Sequence, residues 1–193
     1  MASPMHARYR MHPDWDDRGP KGAIEVHEAL ALTPDAEREL WGYLFSVDLT
    51  VQTRIRNLPV DSPLRFMLAD QRSLGMTVTD ALWVRLVDVP EALSRRTYGA
   101  SDRVVFEVRD GFLPWNSGRW ELEATPDGGR VSRTQANPDL ALTAADMGAI
   151  YLGGVRFGEL ALAGRVEEQT PGAVARADAL FCTALAPWCP GGF

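Results

Sequence analysis

Lysine is almost missing from this chain. Lys21 is the only one, and every other basic side chain is an arginine. Base is short overall, with 26 Asp and Glu against 20 Lys and Arg and a formal charge of -6. Nucleic-acid binders draw most of their affinity from phosphate contacts and carry a basic surplus, so this balance excludes that class. Long hydrophobic runs are also missing. Nothing approaches the roughly 20 apolar residues that span a bilayer, and the start of the chain lacks the basic-then-apolar pattern of a secretory signal. The expectation is a cytoplasmic protein with no membrane partner. Cysteine and histidine are scarce. Cys182 and Cys189 form no CxxC pair, and three scattered histidines make no zinc set. The two thiols are expected to be reduced, a disulfide between them being the other option.

What is present supports a folded protein. Hydrophobic residues make up 46% of 193 positions, enough for a core and for one large domain or two small ones. His6 to Met11 has strand character, and Pro13 to Gly22 is a charged loop rich in glycine and proline. Ala23 to Leu32 alternates faces as a second strand. Thr33-Pro34 places an N-cap before a proline at the first helical position, and Leu40, Leu44 and Val47 give that helix a buried stripe. Leu49 to Leu58 is a further strand. Asp61 opens a short helix or turn, and Met76 to Val78 and Ala81 to Val87 are two extended pieces. Asp88-Val89-Pro90-Glu91 has capping-box spacing and opens a helix to about Arg96. Val104 to Val108, Arg119 to Ala124 and Arg130 to Arg133 are strands, the last two joined by a hairpin turn at Pro126 to Gly129. Asp110 to Gly118 is an irregular loop. A short strand at Leu140 to Leu142 precedes three helices, at Ala144 to Leu152, Phe157 to Ala163 and Pro171 to Phe181. Strands followed by helices predict an α+β domain with an antiparallel sheet.

The tail, Ala186-Pro187-Trp188-Cys189-Pro190-Gly191-Gly192-Phe193, is apolar and stiffened by proline. Either it inserts into a neighbouring cleft or it packs Trp188 and Phe193 on its own domain.

The order of motifs carries a family resemblance. Tyr151-Leu152-Gly153-Gly154, the run Leu160 to Val166, Ala177-Asp178-Ala179-Leu180-Phe181, Ala186-Pro187-Trp188-Cys189 and the final Phe193 resemble the C-terminus of the Eis (enhanced intracellular survival) family. Members of that family are multidomain GNAT-type N-acetyltransferases that acetylate amines, including aminoglycosides. Asp61-Ser62-Pro63-Leu64, the run Leu82 to Pro90, and Pro114-Trp115-Asn116-Ser117-Gly118-Arg119 resemble the same family, so the likeness covers the chain from about Arg8 on. It implies a partial central GNAT-like strand-helix-strand region over residues 1–72. A sterol-carrier-protein-like domain, an antiparallel sheet with helices, would follow over residues 73–193. It further implies a homo-oligomer and an amine acceptor such as an aminoglycoside or a lysine side chain.

An acetyl-CoA site of this class needs a strand, a glycine-rich turn and a helix whose N–H groups hold the pyrophosphate. Arg72 to Thr77 and Arg96 to Ser101 each match half of the [RQ]-x-x-G-x-[GA] pattern, without that setting. Gly153-Gly154 suits a helix C-cap. Acetyl-CoA is therefore expected for the full-length family and not for this chain alone, with an N-terminal GNAT domain supplied in cis or in trans. On that reading the chain is the C-terminal, non-cofactor-binding part of the enzyme, inactive alone. It contributes scaffold, acceptor-pocket wall and, by resemblance, the terminal carboxylate of Phe193 as general base. A carboxylate in a partly desolvated pocket would attract the cationic amine and help it lose a proton. The alternative is a stand-alone sterol-carrier-like module holding a small apolar ligand, with Trp83, Trp115 and Trp120 either lining a cavity or filling a core. Asp14, Asp16 and Asp17 suit a solvated loop better than a metal site, Glu167-Glu168 a polar turn, and His27 a strand surface.

Overall fold

The structure, a computed structural model, describes residues 5–80 and 82–190. The chain forms two compact units. Among the described residues the first runs through Val78 and includes residues 188–190; the second is Thr79–Pro187.

In the first unit β1 (Met5–His12) pairs antiparallel with β4 (Gly22–Ala31), and β5 (Thr50–Ile55) lies parallel to β4, in the order β1-β4-β5. The predicted charged loop between β1 and β4 contains a small ribbon, β2 (Trp15–Asp16) against β3 (Gly19–Pro20). A parallel pair needs a crossover, and helix α1 (Pro34–Phe45) supplies it. The Thr33 side chain accepts the Ala36 N–H at 3.2 Å, and Pro34 opens the helix as its sequence demands. Leu40, Trp41 and Leu44 pack against Ile24 and Val26 of β4, and Leu64 of α2 (Leu64–Met67) completes this small core. A single 3-10 turn follows at Gln71–Leu74. Gly22 is required at its place, because a Cβ there would sit 2.5 Å from the Leu49 carbonyl oxygen. The tail returns to this unit: the Asn57 amide donates to the Cys189 carbonyl at 2.7 Å and accepts the Trp188 indole N–H at 3.0 Å.

The second unit is a five-stranded sheet with helices. Helix α3 (Val89–Arg95) leads into β6 (Asp102–Arg109), β7 (Gly118–Thr125) and β8 (Gly128–Arg133), an antiparallel meander. Strand β9 (Leu140–Thr143) then crosses to the other side of β6. Helices α4 (Ala144–Ile150) and α5 (Phe157–Leu162), strand β10 (Glu167–Glu168) and helix α6 (Ala173–Phe181) complete the order β10-β9-β6-β7-β8. Phe106, Phe157 and Phe181 stack or meet edge-on at centroid separations of 5.0–6.1 Å, and Leu122, Leu140 and Met147 fill the space around them. Arg96 gathers two helix ends. It donates to the Tyr151 carbonyl at 2.5 Å and the Phe181 carbonyl at 3.2 Å, placing a cation where the dipoles of α4 and α6 are negative.

Three sequence expectations change here. The sheets are mixed, not simply antiparallel: β9 runs parallel to β6, with Leu140 opposite Phe106, because it returns beside β6 instead of extending the meander. The second extended piece forms no ladder over the described residues 82–87, Ala81 lying outside them. The carbonyls of Leu86 and Val87 are taken by the Asn116 amide, and that of Val87 also by the Trp115 indole, so side chains do the work of a strand neighbour. Glu167-Glu168 forms a two-residue strand against β9 where a turn was expected.

Candidate functional site

Two features of the first unit bear on chemistry. The first is the parallel pair. Strand β5 matches β4 only from Gly22–Thr50 to Val26–Ile55, so the end of β4 that leads to α1 has no neighbour on that side. A strand that opens toward a helix N-terminus is a place where an anionic ligand meets backbone donors. The donors here are nearly spent. Pro34 has no N–H, that of Ala36 is taken by the Thr33 hydroxyl, and that of Glu37 by the Thr33 carbonyl. Asp35 and Glu37 add two carboxylates to the first turn. This turn does not fit a diphosphate.

The second feature is a groove of about 600 Å³ along the outer side of β5. Trp41 and Phe45 of α1 form one wall, and Leu64, Leu68 and the turn Ser73–Gly75 form the other. Residues from both faces of β5 line it, which places the groove along the free edge of the strand. No expectation from sequence pointed here, since its walls come from four segments spread between residues 41 and 75.

The second unit is organised around a buried carboxylate, Asp110, whose side chain is 2% exposed. Its oxygens accept from Arg85 at 2.6 Å, the Phe112 and Leu113 N–H groups at 2.9 and 3.0 Å, and the Asn116 amide at 3.0 Å. Burial pushes its pKa up, but the hydrogen bonds from Asn116, Leu113, Phe112 and Arg85 outweigh burial and hold it well below the usual carboxylate range. Asn116 in turn accepts the Val89 N–H at 2.9 Å, fixing the start of α3. Sequence showed this stretch only as an irregular loop. An Asp-Gly pair followed six residues after the Asp by Asn-Ser-Gly was the available signal.

The other candidates separate. Phe193, the expected general base, lies outside the described residues. Trp83 is 85% exposed and Trp115 56% exposed, while Trp120 is buried, so the three tryptophans do not share a cavity. His27 is exposed. No group of His, Cys, Asp and Glu among the described residues could hold a metal, and no described helix is long and apolar enough to cross a membrane. Neither cysteine is in a disulfide. Gly153, at φ 82°, closes α4. Gly99 allows close packing, a Cβ there standing 2.7 Å from the Ala179 carbonyl oxygen.

Comparison with known proteins now assigns the two parts. Residues 89–190 match the sterol carrier protein domain family, and residues 6–86 match the acetyltransferase (GNAT) domain family. An uncharacterized N-acetyltransferase of Streptomyces avermitilis is 46% identical over 188 residues, covering 97% of this chain and 46% of that protein. The N-acetyltransferase Eis of Mycobacterium tuberculosis is 32% identical over 182 residues, covering 90% and 44%. The crystal structure of Eis1 from Mycobacterium abscessus superposes with a TM-score of 0.81 at 36% identity, covering 97% of this chain and 48% of that one. The chain spans about half the length of the relatives it matches. These findings overturn the expectation of an inactive C-terminal part without a cofactor-binding domain. The β4-α1-β5 crossover and β1 beside it, taken from sequence as the end of an incomplete GNAT region, are themselves matched as a GNAT domain. The expectation of no cofactor for this chain loses its ground, since it rested on the absence of a GNAT domain. With more than half of its residues matched, the chain belongs to the sterol carrier protein domain family, and it carries a GNAT acetyltransferase domain ahead of that domain in the Eis-like order.

Proposed function

We propose that the chain serves in acetyl transfer from acetyl-CoA to an amine. The match of residues 6–86 to the GNAT domain family carries this reading, and the likeness to N-acetyltransferases of Streptomyces and Mycobacterium supports it. Acetyl-CoA supplies the activated acyl group; since the first turn of α1 does not fit a diphosphate, no step is placed there. The chain's own contribution is on the acceptor side. A primary amine is a cation at neutral pH and must lose a proton before it attacks. A protein with a formal charge of -6 attracts such acceptors, of which aminoglycosides and lysine side chains are the proposed classes. The Phe193 carboxylate is the proposed proton acceptor. The setting is the cytosol, and the working form a homo-oligomer, to be read from light scattering on a sizing column.

Purified protein, acetyl-CoA and a panel of an aminoglycoside, spermine and a lysine peptide provide the test. Acetylated product by mass and matching thiol release are expected. Absence of both product and acetyl-CoA binding would overturn the proposal. Removing Phe193 is expected to lower turnover while leaving acetyl-CoA binding intact.

A further inference from the structure

We propose that the groove beside β5 receives an extended, acidic peptide segment that adds to the sheet as a strand. Among the described residues β5 has β4 as its only sheet neighbour, and none of them takes the hydrogen-bonding groups of its outer edge. The groove follows that edge. Its volume of about 600 Å³ is within the range of well-formed ligand sites, and β5 offers six residues of backbone. A ligand held there must be extended and carry amide donors and acceptors along its length, with side chains alternating between the two walls. Trp41, Phe45, Leu64 and Leu68 stand in those walls, beside the polar backbone edge of β5.

Charge fixes the sign of the partner. Among the described residues Arg54 is the one charged side chain lining the groove, and it donates to the Gln52 amide oxygen. Arg65 on α2 and Arg72 in the 3-10 turn stand on the elements that frame the groove. Among the described residues none of these three arginines is in an ion pair, whereas Arg56, Arg85, Arg103, Arg109 and Arg176 all are. In a chain of net negative charge, Arg54 in the groove lining, without an ion pair among the described residues, calls for a carboxylate from the ligand.

The probe is a capped, fluorescein-labelled heptapeptide alternating valine and glutamate, followed by fluorescence anisotropy against the whole chain. Saturable binding is expected, weakened about tenfold or more in Arg54→Glu, an exposed position whose substitution leaves the core untouched. The same peptide N-methylated at alternate residues is expected not to bind, since it has lost one edge of donors. Equal binding by the methylated peptide, or by a lysine-for-glutamate peptide, would overturn the proposal. So would absence of binding by the acidic peptide. Self-association abolished by Arg54→Glu, without peptide binding, would overturn it in favour of a second copy of the chain. These readouts do not depend on acetyl transfer, so failure here and failure of the catalytic proposal are distinguishable.

Discussion

Asp110 gathers four donors around one buried carboxylate, and the consequences are testable one residue at a time. Its pKa is lower in the fold than in the unfolded chain. The stability this confers is fully present above the ordinary carboxylate value of about 4, and it is lost as pH falls through that value toward the folded pKa. Asp110→Asn is expected to lower stability at neutral pH by about 2–3 kcal/mol, the scale of hydrogen bonds to a charged group. It should also flatten the dependence of melting temperature on pH below about 4, which thermal melts by circular dichroism would show. Tyr98 acts at the other end of the scale. Burial raises its pKa, and its hydroxyl donates to the Leu93 carbonyl at 2.5 Å. Its contribution is present below the ordinary phenol value of about 10 and is lost as pH rises through the folded value. Gly148, inside α4, is required by a neighbour: an added Cβ would lie 2.6 Å from the Val84 carbonyl oxygen. Gly148→Ala is therefore expected to cost about 1–3 kcal/mol in urea unfolding, although alanine is the better helix former.

Elements with a local signature were legible in the chain, and they carry the next predictions. Thr143 caps α4 with a full capping box, its hydroxyl accepting the Asp146 N–H while Asp146 reaches back to the Thr143 N–H at 3.0 Å. Thr143→Ala should cost about 1 kcal/mol. Phe157, fully buried between Phe106 and Phe181, has no small conformational escape, and Phe157→Ala should cost about 3–5 kcal/mol by the same measurement. Caps, prolines and the hairpin turn announced α1, α3, and β7 with β8 because each is decided within a few residues. The parallel placement of β9 was not announced. Its pattern is simply buried, with Leu140, Ala141 and Leu142 all inaccessible, and such a run fits either direction of pairing. The stretch before α3 misled for the opposite reason. It alternates like a strand, yet its carbonyls are satisfied by Trp115 and Asn116 some 28 residues further on.

Across the whole molecule, charge and division of labour set expectations that no single residue does. With a formal charge of -6, steering of cationic acceptors is expected to weaken with salt. The apparent kcat/KM for spermine should fall between low and high ionic strength more steeply than that for a monoamine, in the thiol-release assay. The second unit has a filled core, Phe106, Phe157, Leu122, Leu140, Met147 and Leu180 being fully buried. Apolar-probe fluorescence is therefore expected to show no saturable uptake by this unit's core.

Composition and local patterning by themselves determined the α+β class and most of the elements, because strand alternation, helix caps and turn residues act over a few positions, and the order of particular motifs carried the resemblance to a family of acetyltransferases. Tertiary structure alone decided the rest. The β5 groove is built from segments that meet only after folding. The Asp110 cluster depends on donors that the chain brings from Arg85, 25 residues upstream, and from Asn116 in a loop without periodicity. The worth of the α1 N-terminus as an anion site turned on which N–H groups were already taken, a matter of hydrogen bonds, which only folding distributes.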